Sequence, residues 1–251
     1  MTWPLETIWE QVAPSLPGFT VELLPEVDST NSELMRRARG GRLEPTLLVA
    51  ERQSAGRGRL GRAWQAEPGA SLTFSLGLVL APTDWSGLSL AVGTAVAGAL
   101  HPAVQLKWPN DLWVQDRKLG GILIETASTP GGARARFVII GVGLNVRPRP
   151  PNGLSTPPAC VQELLPELDA GSSLGLVAPA VADAAKRFEA DGFAAFQAAF
   201  GQRDALAGRP VRLSDGTAGA AAGVDGHGAL VVHTAAGPVA ITSSEVSVRP
   251  A

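Results

Sequence analysis

Hydrophobic positions recur at helical spacing near the start of the chain, at Leu5, Ile8, Trp9 and Val12, predicting a short amphipathic helix before Pro14. Thr20–Leu24 reads as a strand. Thr30 and Glu33 fit a capping box that opens a helix over Ser32–Arg39. Thr46–Ala50 and Ser71–Leu80 are apolar strands. Leu88–Leu100 is apolar nearly all round, as a buried helix is. Val104 and Leu106 alternate with Gln105 and Lys107 as a strand, and Pro109-Asn110-Asp111 makes a turn. Leu112–Val114 and Ile122–Ile124 follow as strands joined by a polar turn at Gln115–Lys118. Arg136–Ile140 predicts a buried strand that runs on into Gly141-Val142-Gly143-Leu144-Asn145. Arg147–Pro158 is Pro-rich and reads as a surface loop. Val177, Val181, Ala184, Ala185 and Phe188 mark a helix, broken at Asp191-Gly192 and followed by a shorter one reaching Phe200.

The pattern changes near Gly208. Short alternating runs at Val211–Leu213, Ala229–Val232, Val239–Ile241 and Val246–Val248 are separated by Asp215-Gly216, Asp225-Gly226 and Ala236-Gly237. That predicts a small antiparallel barrel of SH3-like size behind a larger unit of mixed helices and strands. The fold class is α+β, with the division expected between residues 1–203 and 204–251.

Composition narrows the function. The 251 residues carry a net charge of −2, whereas a chain living on nucleic acid usually shows a basic excess. A single cysteine, Cys160, excludes an internal disulfide framework and fits a reducing cytoplasm. The amino terminus lacks the basic and apolar regions of a signal peptide, and no run approaches the length of a membrane span. Lys107, Lys118 and Lys186 are the only lysines; every other basic residue is arginine.

Candidate chemistry concentrates at Glu51–Trp64, where Arg57, Arg59 and Arg62 alternate with Gly56, Gly58 and Gly61. Glycine lets backbone N–H groups approach a ligand, and arginine forks suit carboxylate or phosphate oxygens. A solvated basic turn or a nucleic-acid backbone patch fits the same letters. Ser29-Thr30-Asn31 gathers hydroxyls and an amide suited to a neutral polar ligand such as a urea or amide, or simply starts a helix. Lys107 on a core strand calls for an anion partner unless it snorkels to an edge, and Gly120-Gly121 suggests close backbone approach. Trp64 is a lid over a base or a core aromatic. Two letter matches fail. Gly141-Val142-Gly143 begins a dinucleotide fingerprint, but Val146 replaces its third glycine. Gly171-Ser172-Ser173-Leu174-Gly175 lacks the buried strand a nucleophile elbow needs. His101, His227 and His233 share no ligand spacing with acidic residues, so a zinc site is not expected.

Five segments together resemble the biotin–protein ligases: Asp28–Asn31, Gln53–Arg62, Lys107–Leu112, Lys118–Leu123 and Gly141–Asn145. With the carboxy-terminal unit they span about Val21 to Arg249, in that family's order and spacing. The resemblance implies a mixed-sheet catalytic domain related to class II aminoacyl-tRNA synthetases and lipoate ligases, an SH3-like domain behind it, and no amino-terminal DNA-binding module. It implies ATP and Mg²⁺, the metal entering through the phosphates, and two steps: activation of biotin to biotinyl-5′-AMP, then transfer to a lysine of a biotin carboxyl carrier domain.

Position by position, Ser29, Thr30, Asn31 and Gln53 would hold the ureido end of biotin. Gly56, Arg57, Gly58 and Arg59 would order over it, and Gly121 and Gly141 would line the pocket with backbone. Lys107 and Arg57 would act on the reacting carboxylate and phosphate. Arg57, Arg59, Arg62, Trp64, Asn110 and Asn145 would lie at the nucleotide. The expected location is cytoplasmic, without DNA or membrane, and a homodimer is allowed for. A carrier strand could add to a free sheet edge. The alternatives are a lipoate or octanoate ligase of the same fold, which would lack this Gly/Arg loop, and a nucleic-acid-binding module, which the charge opposes.

Overall fold

The structure is a computed structural model that describes residues 2–129, 134–151, 156–242 and 248–250. Thr20–Val27 (β1) and Thr46–Gln53 (β2) run parallel, a pairing that needs a crossover. Helix α2 (Thr30–Arg39) supplies it; helix α1 (Leu5–Val12) precedes β1. Ser71–Leu80 (β3) then pairs antiparallel with β2. Helix α3 (Leu88–Leu100) leads into β4 (Gln105–Lys107), β5 (Asp111–Val114), β6 (Arg117–Ser128) and β7 (Arg136–Asn145). The mixed seven-stranded sheet has the order β1-β2-β3-β7-β6-β5-β4.

Alternation along these strands separates two faces. Leu72, Phe74, Leu76 and Leu78 of β3, with Ile140, Val142 and Leu144 of β7, join the main core. That core is closed by α3, α4 (Ala170–Asp191) and α5 (Ala194–Gly201). On the other face α2 covers one end of the sheet, where Leu34 and Ala38 pack on Leu48, Phe137 and Ile139. Beyond α2 the same face carries Thr73 and Ser75 of β3 and Gly141 and Gly143 of β7. Small and polar residues there leave room above the sheet, and the room is the cavity described below.

Two expectations need adjustment and two hold. Strands β1 and β2 extend three residues further than their apolar runs, because pairing continues to Val27 and Gln53. The helix after β1 is capped by Ser29, whose hydroxyl accepts from Ser32 N, so Thr30 is its first helical residue and not its cap. Gly141–Asn145 continues β7 without a break, pairing through to β3 residue Ser71. Gly171–Gly175 lies in the first turns of α4, capped by Asp169, which accounts for the absence of a nucleophile elbow.

The carboxy-terminal unit comprises β8 (Pro210–Leu213), β9 (Ala218–Val224), β10 (Leu230–Thr234), β11 (Gly237–Ile241) and β12 (Val248–Pro250). Its antiparallel order is β11-β10-β9-β8-β12, with no β11–β12 pairing among the described residues. Strand β9, Ala-Gly-Ala-Ala-Ala-Gly-Val, escaped the sequence pattern because, Val224 apart, it lacks the β-branched and aromatic residues that mark strands. Val246 of the expected last strand lies outside the described residues, as do residues 152–155 of the Pro-rich loop. The unit is fixed to the larger one at Trp108, which is fully buried and donates from Nε1 to the Gly228 carbonyl at 3.0 Å. Gly228 has φ +79, and a Cβ there would lie 2.8 Å from Gly87 Cα, so only glycine permits this approach. The connecting segment is stitched to edge strand β4: Leu106 N donates to Arg203 O, and Ala205 N to Leu106 O.

Candidate active site

The cavity above the open half of the sheet holds about 640 Å³, within the range of small-ligand sites. One end is neutral and built from buried polar groups. Ser29, Thr30 and Asn31 are each 3% exposed at the amino terminus of α2. Gln53 Oε1, at the end of β2, accepts from Thr30 N at 2.7 Å and lies 3.1 Å from Thr30 Oγ1. Ser75 Oγ lies 2.7 Å from Thr30 Oγ1 and donates to Asn31 Oδ1 at 2.6 Å. Gly141 closes beneath: a Cβ there would collide with Asn31 Oδ1. Ser75 was not foreseen; its signal is a serine on the non-core face of an otherwise apolar strand.

Over this end folds the glycine–arginine segment. Trp64 N donates to Gly56 O at 2.8 Å and Gly58 N to Arg62 O at 2.7 Å, so the loop is a small flap with paired ends. Its tip turns at Leu60 and Gly61, both at positive φ, where Gly61 has no steric penalty. Arg57, Gly58, Arg59 and Arg62 line the cavity, while Gly56 does not. Gly56 is buried at the flap's root, where a Cβ would strike the Trp64 carbonyl.

The other end is charged. Lys107, 11% exposed at its side chain, places Nζ 4.0 Å from Asp111 Oδ2 and 5.3 Å from the centre of the Trp113 ring. Lys118 reaches the other oxygen of the same carboxylate at 2.6 Å. Two of the chain's three lysines therefore bracket Asp111. Sequence alone assigns Lys118 and Asp111 no role beyond their motif, although lysine scarcity points to Lys118 as well as Lys107. Gly121 faces this pair, and a Cβ there would make only ordinary contact with Asp111. Asn110 fixes the turn through Nδ2 to Ile122 O at 2.8 Å and also lines the cavity.

Trp64 forms a wall and is not a core residue. Its ring lies against Gly143, where a Cβ would sit 2.6 Å away, and Lys118 Nζ and Arg149 Cζ each stand 5.9 Å from its centroid. The Nε1 groups of Trp64 and Trp113 are buried without an acceptor, an arrangement that favours an acceptor arriving with a ligand. Arg149 and, from the carboxy-terminal side, Arg209 complete the cationic wall; Arg209 pairs with Asp116 at 2.5 Å. Asn145 is not at the cavity. It is 1% exposed, and its Nδ2 donates to Lys118 O and Ala159 O, so it braces the backbone behind Lys118.

Seven basic side chains and two acidic ones line this cavity in a chain whose net charge is −2. Burial lowers the pKa of Arg59, opposed by Asp111 and assisted by Arg62, yet arginine stays charged at any working pH. Such a site attracts a polyanion at one end and a neutral hydrogen-bonding group at the other. Among the described residues no cluster of three or more His, Cys, Asp or Glu could hold a metal.

A neutral pocket joined to a cationic trough, over a mixed sheet, suits a ligand with a neutral hydrogen-bonding head and an anionic part. Residues 23–145 match the model of the Biotin/lipoate A/B protein ligase family, and residues 207–249 match the Biotin protein ligase C terminal domain. The chain is 35% identical to the biotin–[acetyl-CoA-carboxylase] ligase of Paracoccus denitrificans over 242 residues, covering 89% of this chain and 98% of that one. It is 35% identical to the bifunctional ligase/repressor BirA of Escherichia coli, covering 89% of this chain and 72% of BirA. The biotin protein ligase of Aquifex aeolicus, solved with biotin and ATP, superposes with a TM-score of 0.77 at 29% identity, over 92% of this chain and 99% of that one. The chain belongs to the biotin protein ligase family.

Proposed function

We propose that this pocket activates biotin with ATP to biotinyl-5′-AMP and then passes biotin to a lysine of a biotin carboxyl carrier domain. The observation that carries the reading is the division of one cavity into a neutral, hydrogen-bonded end and a cationic end. Ser29, Thr30, Asn31 and Gln53 hold the ureido group. Gly141 and Gly121 let the ligand approach backbone. The Gly56–Arg59 flap closes over the head and excludes water from an adenylate that hydrolyses readily.

In the first step a carboxylate oxygen attacks the α-phosphorus, and the bond to the β-phosphate oxygen breaks, releasing pyrophosphate. Two anions must meet, so fixed cations are needed where charge develops. Lys107, and with it Lys118, would act at that point, with Arg59 and Arg62 toward the phosphates and Arg57, paired with Glu125, holding the flap beside them. Trp64 and Asn110 border the nucleotide. Mg²⁺ entering with ATP would supply further charge neutralisation beside these cations. In the second step the carrier lysine's amine attacks the acyl carbon and AMP leaves. Residues 1–203 act as the catalytic unit. Residues 204–251 act as a second unit contributing Arg209 and Val248 to the cavity wall, a division supported by the two matched regions. The setting proposed is the cytoplasm; among the described residues no helix is long and apolar enough to cross a membrane.

The test is ATP–pyrophosphate exchange with Mg²⁺ and biotin, lipoate or octanoate. Exchange dependent on biotin is expected. Exchange with lipoate or octanoate alone would move the protein to a sister activity, and none with any acid would refute the adenylation reading.

A further inference from the structure

Glu125 sits on β6 behind the cavity wall and does not line it. Both of its oxygens are engaged. Oε2 accepts from Asn31 Nδ2 at 2.9 Å, and Oε1 pairs with the Arg57 guanidinium. Asn31 is 3% exposed; its Oδ1 accepts from Ser75, and its Nδ2 also reaches the Leu123 carbonyl at 3.3 Å. Arg57 in turn donates from Nη1 to Ser32 Oγ at 3.2 Å. One carboxylate therefore ties β6 to the first turn of α2 and to the flap.

Two consequences follow from ordinary chemistry. An asparagine amide can present either end, and a charged acceptor on one side selects the orientation with the NH₂ toward it. That orientation turns Asn31 Oδ1 toward Ser75 and Gly141, inside the neutral end of the site. Second, a carboxylate that is only 23% exposed is unfavourable without a cationic partner. Opening the flap withdraws Arg57 from it, so Glu125 biases the flap toward closure.

We propose that Glu125 is a positioning residue for acid activation, holding the Asn31 amide orientation and tethering the flap through Arg57. The proposal rests on reading the cavity as the biotin and ATP site. It is tested with Glu125→Gln and Glu125→Asp, each assayed for the biotin KM and kcat of ATP–pyrophosphate exchange. Tryptic cleavage after Arg59 and Arg62 is followed in parallel without substrates. Glu125→Gln is expected to raise the biotin KM about tenfold with kcat at saturation nearly unchanged, and to speed cleavage severalfold. Combined with Arg57→Gln it should add little to the cleavage rate, since both break one tether, while the biotin KM rises further as the Asn31 contact is lost. Glu125→Asp, which keeps the charge on a shorter arm and serves if Glu125→Gln does not fold, should fall between wild type and Glu125→Gln. Unchanged KM and cleavage, a loss confined to kcat, or additive effects on cleavage with Arg57→Gln would each overturn the proposal. A wild-type protein without biotin-dependent exchange would instead defeat the functional reading, while the cleavage comparison would still decide the tether.

Discussion

The two ends of the cavity are built on opposite principles. At the neutral end Thr30, Asn31 and Ser75 are small and buried, and hydrogen bonds link them to one another and to Gln53. Such a network is preorganised, and it rewards a ligand that copies its pattern of donors and acceptors. At the cationic end long side chains outnumber the carboxylates that face them, with Asp111 shared between two lysines. An excess of fixed positive charge does little for recognition of a neutral head but stabilises negative charge as it accumulates. Recognition and chemistry are thus separated in space, and substitutions at the two ends should separate in kinetics.

The largest effect should come from the cationic end. Lys107→Arg keeps the charge but replaces a compact ammonium with a planar fork. It is expected to lower kcat for pyrophosphate exchange by about 10²–10³-fold, the scale of losing one preorganised stabiliser. A biotin KM raised with kcat intact would break the separation. At the neutral end Gly141→Ala pushes a methyl into Asn31. Overpacking of this kind costs about 1–3 kcal/mol, so the biotin KM should rise roughly ten- to a hundredfold, with kcat at saturation changed far less. Gly143→Ala displaces Trp64, against which a Cβ would sit at 2.6 Å. There the ATP KM should rise about tenfold and the biotin KM stay within about twofold, as a loss confined to one subsite requires.

Most of the frame was legible in the chain. Ser71–Leu80 and Leu88–Leu100 have the bounds that their apolar runs predict, because elements whose residues are nearly all buried leave a dense hydrophobic signature. The site was legible where its chemistry demanded rare choices, as at the glycine–arginine flap and Lys107. Glu125, Ser75 and Arg209 were not, since their roles arise from strand pairing and domain contact, which bring together residues far apart in sequence. Asn145 misled for the same reason. Its motif placed it near the site, but the outcome of β7 pairing turns its amide to Lys118 and Ala159.

A smaller effect concerns the start of α2, which carries the neutral end. Asp28 accepts from Ser29 N at 2.7 Å and pairs with Arg36, whose hydrogen bond lowers its pKa from 3.8 to about 2. The depressed value contributes stability above pH 3.8 that is lost as pH falls toward 2. Both partners are about half exposed, so solvent screening leaves well under about 1 kcal/mol. Asp28→Asn should accordingly lower the midpoint of thermal unfolding slightly at pH 7, and the gap from wild type should close near pH 2.

The separation of recognition from chemistry is tested most directly by titrating biotin, without nucleotide, into the Lys107→Ala/Lys118→Ala double variant by calorimetry, alongside its exchange assay. The expected result is a biotin affinity within about tenfold of wild type while exchange falls by more than about 10³-fold. Biotin affinity lost in step with exchange would contradict it.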